Sequence, residues 1–129
     1  MYSNDGKLFG FGSNEFTQLS PDQNKLKYEE SILIIESKEI EMIECGANHY
    51  LIYKRNGDLL VVGNNNYKQC TDLIKEDKID KLTLIMNIKN LKMISCGFHH
   101  NFLLFQDGKA LGFGNNSNGQ GITLFKLNF

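Results

Sequence analysis

Arginine is nearly missing from this chain. Of 14 basic residues only Arg55 is an arginine, and the rest are lysines. The guanidinium fork suits phosphate and carboxylate recognition better than an ammonium does, so little is available for that work. Charge of one sign is missing too. Fifteen acidic residues leave a net charge of −1, which argues against a broad electrostatic footprint for nucleic acid or an anionic membrane. No apolar run approaches the ~20 residues that span a bilayer. Met1–Asp5 leads straight into a strand pattern and lacks the charged and apolar regions of a signal peptide. Cysteines number three. An odd count, two of them at matching positions, points to reduced thiols in an intracellular protein, cytoplasmic or nuclear. The single proline, Pro21, falls in a polar stretch over 13–30 that reads as loop.

What remains is ordinary for one globular domain: 129 residues, 41% apolar and 22% charged. Its order is not ordinary. Gly6, Gly57 and Gly108 recur every 51 residues, as do Gly12, Gly63 and Gly114, Asn14, Asn65 and Asn116, and Gln18, Gln69 and Gln120. Cys45-Gly46-x-x-His49 returns as Cys96-Gly97-x-x-His100 at the same interval. A fixed period near ~50 residues with strand-and-turn chemistry marks a propeller or solenoid array. The pairs Asp5-Gly6, Asn56-Gly57 and Asp107-Gly108 lie between apolar runs. They are expected to form type I′ hairpin turns, which need positive φ at both central positions.

Between the hairpins, Ile32–Ile35 reads as a buried strand, and Ile40, Met42 and Ile43 lead into Cys45. Leu82–Met86 and Leu91–Ile94 repeat this. A short helical turn is expected within Asp72–Lys81. Each period thus holds about four strands, the content of one propeller blade. The organisation is one repeat domain over 1–129: a partial repeat over 1–44, a repeat over 45–95, and a third over 96–129. The third stops inside its connector, at the position of Lys78 and Lys27. Only Met1 and Tyr2 precede the first turn region, so the first copy is expected to have lost its partner strand.

In these features the chain resembles the regulator of chromosome condensation repeat family. That repeat carries a Cys-Gly-x-x-His strand, an Asp-Gly turn, a Trp-Gly-x-Asn strand end and a Gly-Gln-Leu-Gly loop. Here tryptophan is absent, and Phe11, Val62 and Phe113 stand in its place. The loop survives as Thr17-Gln18-Leu19-Ser20, Lys68-Gln69-Cys70-Thr71 and Gly119-Gln120-Gly121-Ile122. The resemblance implies an all-β fold, a partial β-propeller of two to three four-stranded blades. No closed ring is expected of the single chain. Open sheet edges are expected to favour self-association.

Candidate sites are few. Cys45, His49, Cys96 and His100 are of types that tetrahedral zinc accepts. Matching blade positions stand a blade apart, so packing beneath the sheet and hydrogen bonding to a neighbouring turn is the preferred role, and no metal is expected. His99, replaced by Asn48 in the other copy, is expected to face solvent. Cys70 stands where the first copy has Leu19, which argues for packing. Gly10-Phe11-Gly12 and Gly112-Phe113-Gly114 open like a dinucleotide fingerprint, but Glu15 and Ser117 occupy the third glycine position. No catalytic residue and no cofactor is expected. The loops after the Gly12, Gly63 and Gly114 strands recur on one rim. Phe16 and Tyr67 are candidate partner anchors there, with Asn65 and Asn116 beside them. The asparagines have a competing role, bonding their own turns.

The function expected is a non-enzymatic protein-interaction module. The resemblance implies an alternative, guanine-nucleotide exchange on a small GTPase of the Ran type. A second alternative, chromatin binding, sits poorly with a single arginine.

Overall fold

A computed structural model describes residues 1–115 and the backbone of Phe125–Lys126. Among these residues there are strands and no helix. The strands are β1 (Lys7–Ser13), β2 (Lys27–Glu36), β3 (Ile40–Cys45), β4 (His49–Lys54), β5 (Asp58–Asn64), β6 (Lys78–Asn87), β7 (Leu91–Cys96), β8 (His100–Phe105), β9 (Lys109–Gly114) and β10 (Phe125–Lys126). They form three antiparallel sheets ordered β1-β2, β3-β4-β5-β6 and β10-β9-β8-β7. The fold is a partial β-propeller, and the second sheet is a complete four-stranded blade.

Strand alternation builds the core between blades. Along β4 and β5, Leu51, Tyr53, Leu59 and Val61 face the third sheet and meet Leu91, Ile94 and Leu103. Tyr50, Ile52 and Val62 point the other way and pack with Leu8 of the first sheet. Leu51, Ile52, Leu59, Val61 and Leu103 are 0% exposed. Each such side chain contributes about 1.5–3 kcal/mol relative to exposure. β3 and β7 run close together, joining the second and third sheets.

The hairpin turns differ from expectation. Gly57 has φ 95°, but Asn56 does not take positive φ, and the same holds at Gly6 (90°) and Gly108 (82°). The Gly57 N–H donates to the Lys54 carbonyl at 2.8 Å, closing a three-residue loop. This is the pattern of a type I turn followed by a left-handed glycine bulge, not a type I′ turn. The extra loop residue has an outside partner. Arg55 N–H donates to Glu39 O, and Gln106 N–H to Asn90 O, both at 2.8 Å.

Three further expectations are corrected. The first hairpin keeps a stub of its partner strand. Tyr2 bridges Leu8, Met1 and Phe9 exchange backbone bonds, and the Tyr2 hydroxyl donates to Ser37 O at 2.9 Å. Tyr53 repeats that last bond to Ile88 O at 3.2 Å. Ile32–Ile35 is not a buried strand. Among the described residues β2 pairs only with β1, at a sheet edge; none of Ile32–Ile35 is fully buried, and Leu33 is 50% exposed. Asp72–Asp77 forms no helical turn but an irregular loop leading into β6, held by Asn65, whose side-chain amide donates to the Ile74 and Glu76 carbonyls.

A candidate partner-contact rim

Strand ends place several loops on one side of the sheets. Asn64 N–H donates to Asn48 O, and Asn115 N–H to His99 O, both at 2.8 Å. The β3–β4 connection therefore lies beside the loop that follows β5, and the β7–β8 connection beside Asn115. The loops after β1 and β5 share one internal design. Asn65 is fully buried. Its Oδ1 accepts from the N–H groups of Cys70 and Thr71 at 3.1 Å. Asn14 does the same for Leu19 and Ser20 at 2.9 Å. Four residues on, Gln18 Oε1 accepts from Phe16 N–H at 3.0 Å, and Gln69 Oε1 from Tyr67 N–H at 2.9 Å. Asn65 therefore offers no surface to a partner. Its polar atoms satisfy backbone groups that the loop would otherwise bury unpaired. Asn116 lies outside the described residues.

The aromatics are placed differently. Tyr67 is 47% exposed, and its ring lies against His99 with centroids 4.5 Å apart. Phe98, 69% exposed, meets the His99 ring edge-on at 4.7 Å. His99 is thus a half-buried ring in contact with two aromatics and not the solvent-facing residue expected. Phe98 carries no signal in the repeat pattern, because Ala47 occupies its place in the preceding copy. Phe16 is half-buried and lines a cleft of about 560 Å³ together with Glu15, Glu76, Asp77, Lys78 and Asp80.

Beneath the rim, the Cys-Gly-x-x-His segments join blades. A methyl group on Gly46 would sit 2.2 Å from His49 Cε1, and one on Gly97 would sit 2.4 Å from His100 Cε1, so each imidazole folds back over its glycine. Buried His49 donates from Nε2 to Asn101 Oδ1 at 2.8 Å, across to the third sheet. Asn101 Nδ2 donates to the Gln69 carbonyl. Burial holds His49 below the usual histidine range, reinforced by His99 and His100 and opposed by the Asn101 bond. The repeated glycines Gly12, Gly63 and Gly114 take φ of 105°, 113° and 110° toward the strand ends.

The thiols do not all pack beneath the sheet as expected. Cys45 is exposed, at the end of β3. Cys96 is partly buried and donates to Glu44 O at 3.5 Å, and Cys70 is buried with its Sγ 3.2 Å from Asn64 O. Burial pushes Cys70 and Cys96 up to about 12, so both stay protonated at neutral pH. Among the described residues, no group of three or more His, Cys, Asp or Glu side chains could hold a metal ion.

With strands, bulges and blade contacts in place, comparison settles the repeat. The family model described as "Regulator of chromosome condensation (RCC1) repeat" matches residues 43–69 and 92–120. Over those two stretches the chain carries RCC1 repeats. It is 25% identical over 119 residues to the human X-linked retinitis pigmentosa GTPase regulator, covering 90% of this chain and 12% of that protein. Yeast RCC1 (Prp20), solved bound to Kap60, superposes with a TM-score of 0.75 at 23% identity, covering 88% of this chain and 29% of that one. A second structure, of Saccharomyces cerevisiae Prp20p, was described with its binding to Gsp1p and histones. It gives a TM-score of 0.73 at 23% identity, covering 88% and 30%. The chain thus spans less than a third of each of these proteins.

Proposed function

We propose that this segment of RCC1 repeats is a protein-interaction module that acts without catalysis, and that its contact surface is the loop rim bearing Phe16, Tyr67, Phe98 and His99. The observation that carries this reading is the exposed Tyr67–His99–Phe98 cluster. Large aromatic rings held at fixed positions are the residues that dominate interface energetics. The buried asparagine and glutamine bonds beneath them lower the ordering cost of binding. Two thiols held protonated support a role without nucleophilic chemistry.

The partner class best supported is a small GTPase of the Ran type. The named relatives include a GTPase regulator, and Prp20p is described with Gsp1p. Exchange of guanine nucleotide is the second reading, favoured by the same names. The test is calorimetric titration of the chain into a Ran-type GTPase, with release of a fluorescent guanine nucleotide followed in parallel. Binding without faster release supports the module, and faster release supports exchange. Tyr67→Ala combined with Phe98→Ala should weaken binding by about 30-fold or more, the equivalent of a hot-spot loss of ~2 kcal/mol. Binding that ignores both substitutions would move the contact surface elsewhere.

A further inference from the structure

The rim and the inter-blade junction are parts of one connected network. His49 Nε2–H donates to Asn101 Oδ1, and the Asn101 amide donates to the Gln69 carbonyl. The side chain of Gln69 accepts from Tyr67 N–H at 2.9 Å, and the Tyr67 ring rests on His99. His49, Asn101 and Gln69 are all buried, so the bonds of Asn101 to His49 and to Gln69 are made away from water. We propose that His49, Asn101 and Gln69 form an acid-sensitive latch that holds Tyr67 against His99 and so sets the shape of the contact rim.

The geometry supplies the sensitivity. With Nε2 donating to Asn101, the neutral ring leaves Nδ1 as an acceptor. That atom is buried and has no hydrogen-bond partner among the described residues. A proton added there creates a buried cation with an unpaired N–H, and such a group is expensive to keep. The titratable groups acting on His49 are His99 and His100, on the segment of the third sheet that faces it, and both disfavour its charged form. The neutral ring is therefore the form that fits, and its lowered pKa is consistent with this. Departure of a protonated ring would strip Asn101 Oδ1 of its donor. Gln69, whose Nε2 is also buried without a partner, would then lose the amide that fixes its backbone.

The proposal rests on the rim being the contact surface, but its test needs no partner, so the two can fail separately. Histidine ring shifts and the nuclear Overhauser contacts between Tyr67 and His99 are followed from about pH 7.5 to about pH 5, with circular dichroism as the monitor of overall fold. The expected result is loss of the Tyr67–His99 contacts in step with protonation of His49, below the ordinary histidine value of about 6.5, while the strand signal persists. His49→Gln keeps a donor toward Asn101 without a titrating ring and should retain the contacts throughout. Contacts that persist while His49 protonates would overturn the latch. So would a His49 ring that stays neutral across the range, global unfolding at the same pH, or a folded His49→Gln chain that loses the contacts as the natural one does. Where His49→Gln does not fold, the natural chain's two curves decide the matter.

Discussion

Asn101→Leu tests the inter-blade bond most directly. In the native chain Asn101 accepts from His49 Nε2 at 2.8 Å and donates to the Gln69 carbonyl, and it is 2% exposed. Leucine satisfies neither group. Each buried polar group left unpaired costs about 1–3 kcal/mol, so the two together predict a loss of about 2–6 kcal/mol. That is a large part of the ~5–15 kcal/mol available to a typical domain. His49→Leu leaves only Asn101 Oδ1 without its donor and should cost about 1–3 kcal/mol. In the double variant the His49 donor and the Asn101 acceptor leave together. Its loss should fall short of the sum of the single losses by about 0.5–3 kcal/mol. Urea unfolding of the four chains, with the slope checked for constancy, measures all three quantities. An Asn101→Leu loss under about 0.5 kcal/mol, or strict additivity within that error, would refute the claim that this pair couples the blades.

Gly46→Ala should destabilise by about 1–3 kcal/mol, because the added methyl would lie 2.2 Å from His49 Cε1 and force the ring out of its place; thermal unfolding beside the natural chain measures it. Thiol reactivity should be strongly graded, with alkylation of the native chain followed by mass spectrometry modifying exposed Cys45 first and leaving Cys70, buried and shifted up to about 12, intact until the chain unfolds.

Much of the architecture was legible in the 51-residue register, since glycines at bulges and turns and apolar residues at alternate positions leave a periodic trace. The turn type was not. Asp-Gly and Asn-Gly suit several hairpins, and Arg55 and Gln106 enter the loop because carbonyls of Glu39 and Asn90 bind their N–H groups, contacts set by tertiary structure. The burial of Ile32–Ile35 was overestimated because an apolar run does not reveal whether it lies at a sheet edge. The candidate site was legible only where it repeats. Phe16 and Tyr67 are register partners, but Phe98 matches Ala47. Asn101, the acceptor for His49, matches Tyr50, so the bond across 52 residues joins positions that the register does not pair. Periodicity describes a blade's interior, whereas the junctions between blades depend on the positions where the copies differ.

The second sheet has a consequence for how the chain comes apart. Both apolar clusters draw on β4, with Tyr50 and Ile52 on one side and Leu51 and Tyr53 on the other. Among the described residues the outer sheets share no such cluster with each other. Where stability is a sum of nearest-neighbour interfaces, the unit with two neighbours is the keystone. Amide exchange should therefore be slowest along β4 and β5 and fastest in β1–β2, with unfolding spreading inward from the flanks. Damage to β4 would loosen both junctions at once, while damage to β2 would leave the seam between the second and third sheets closed.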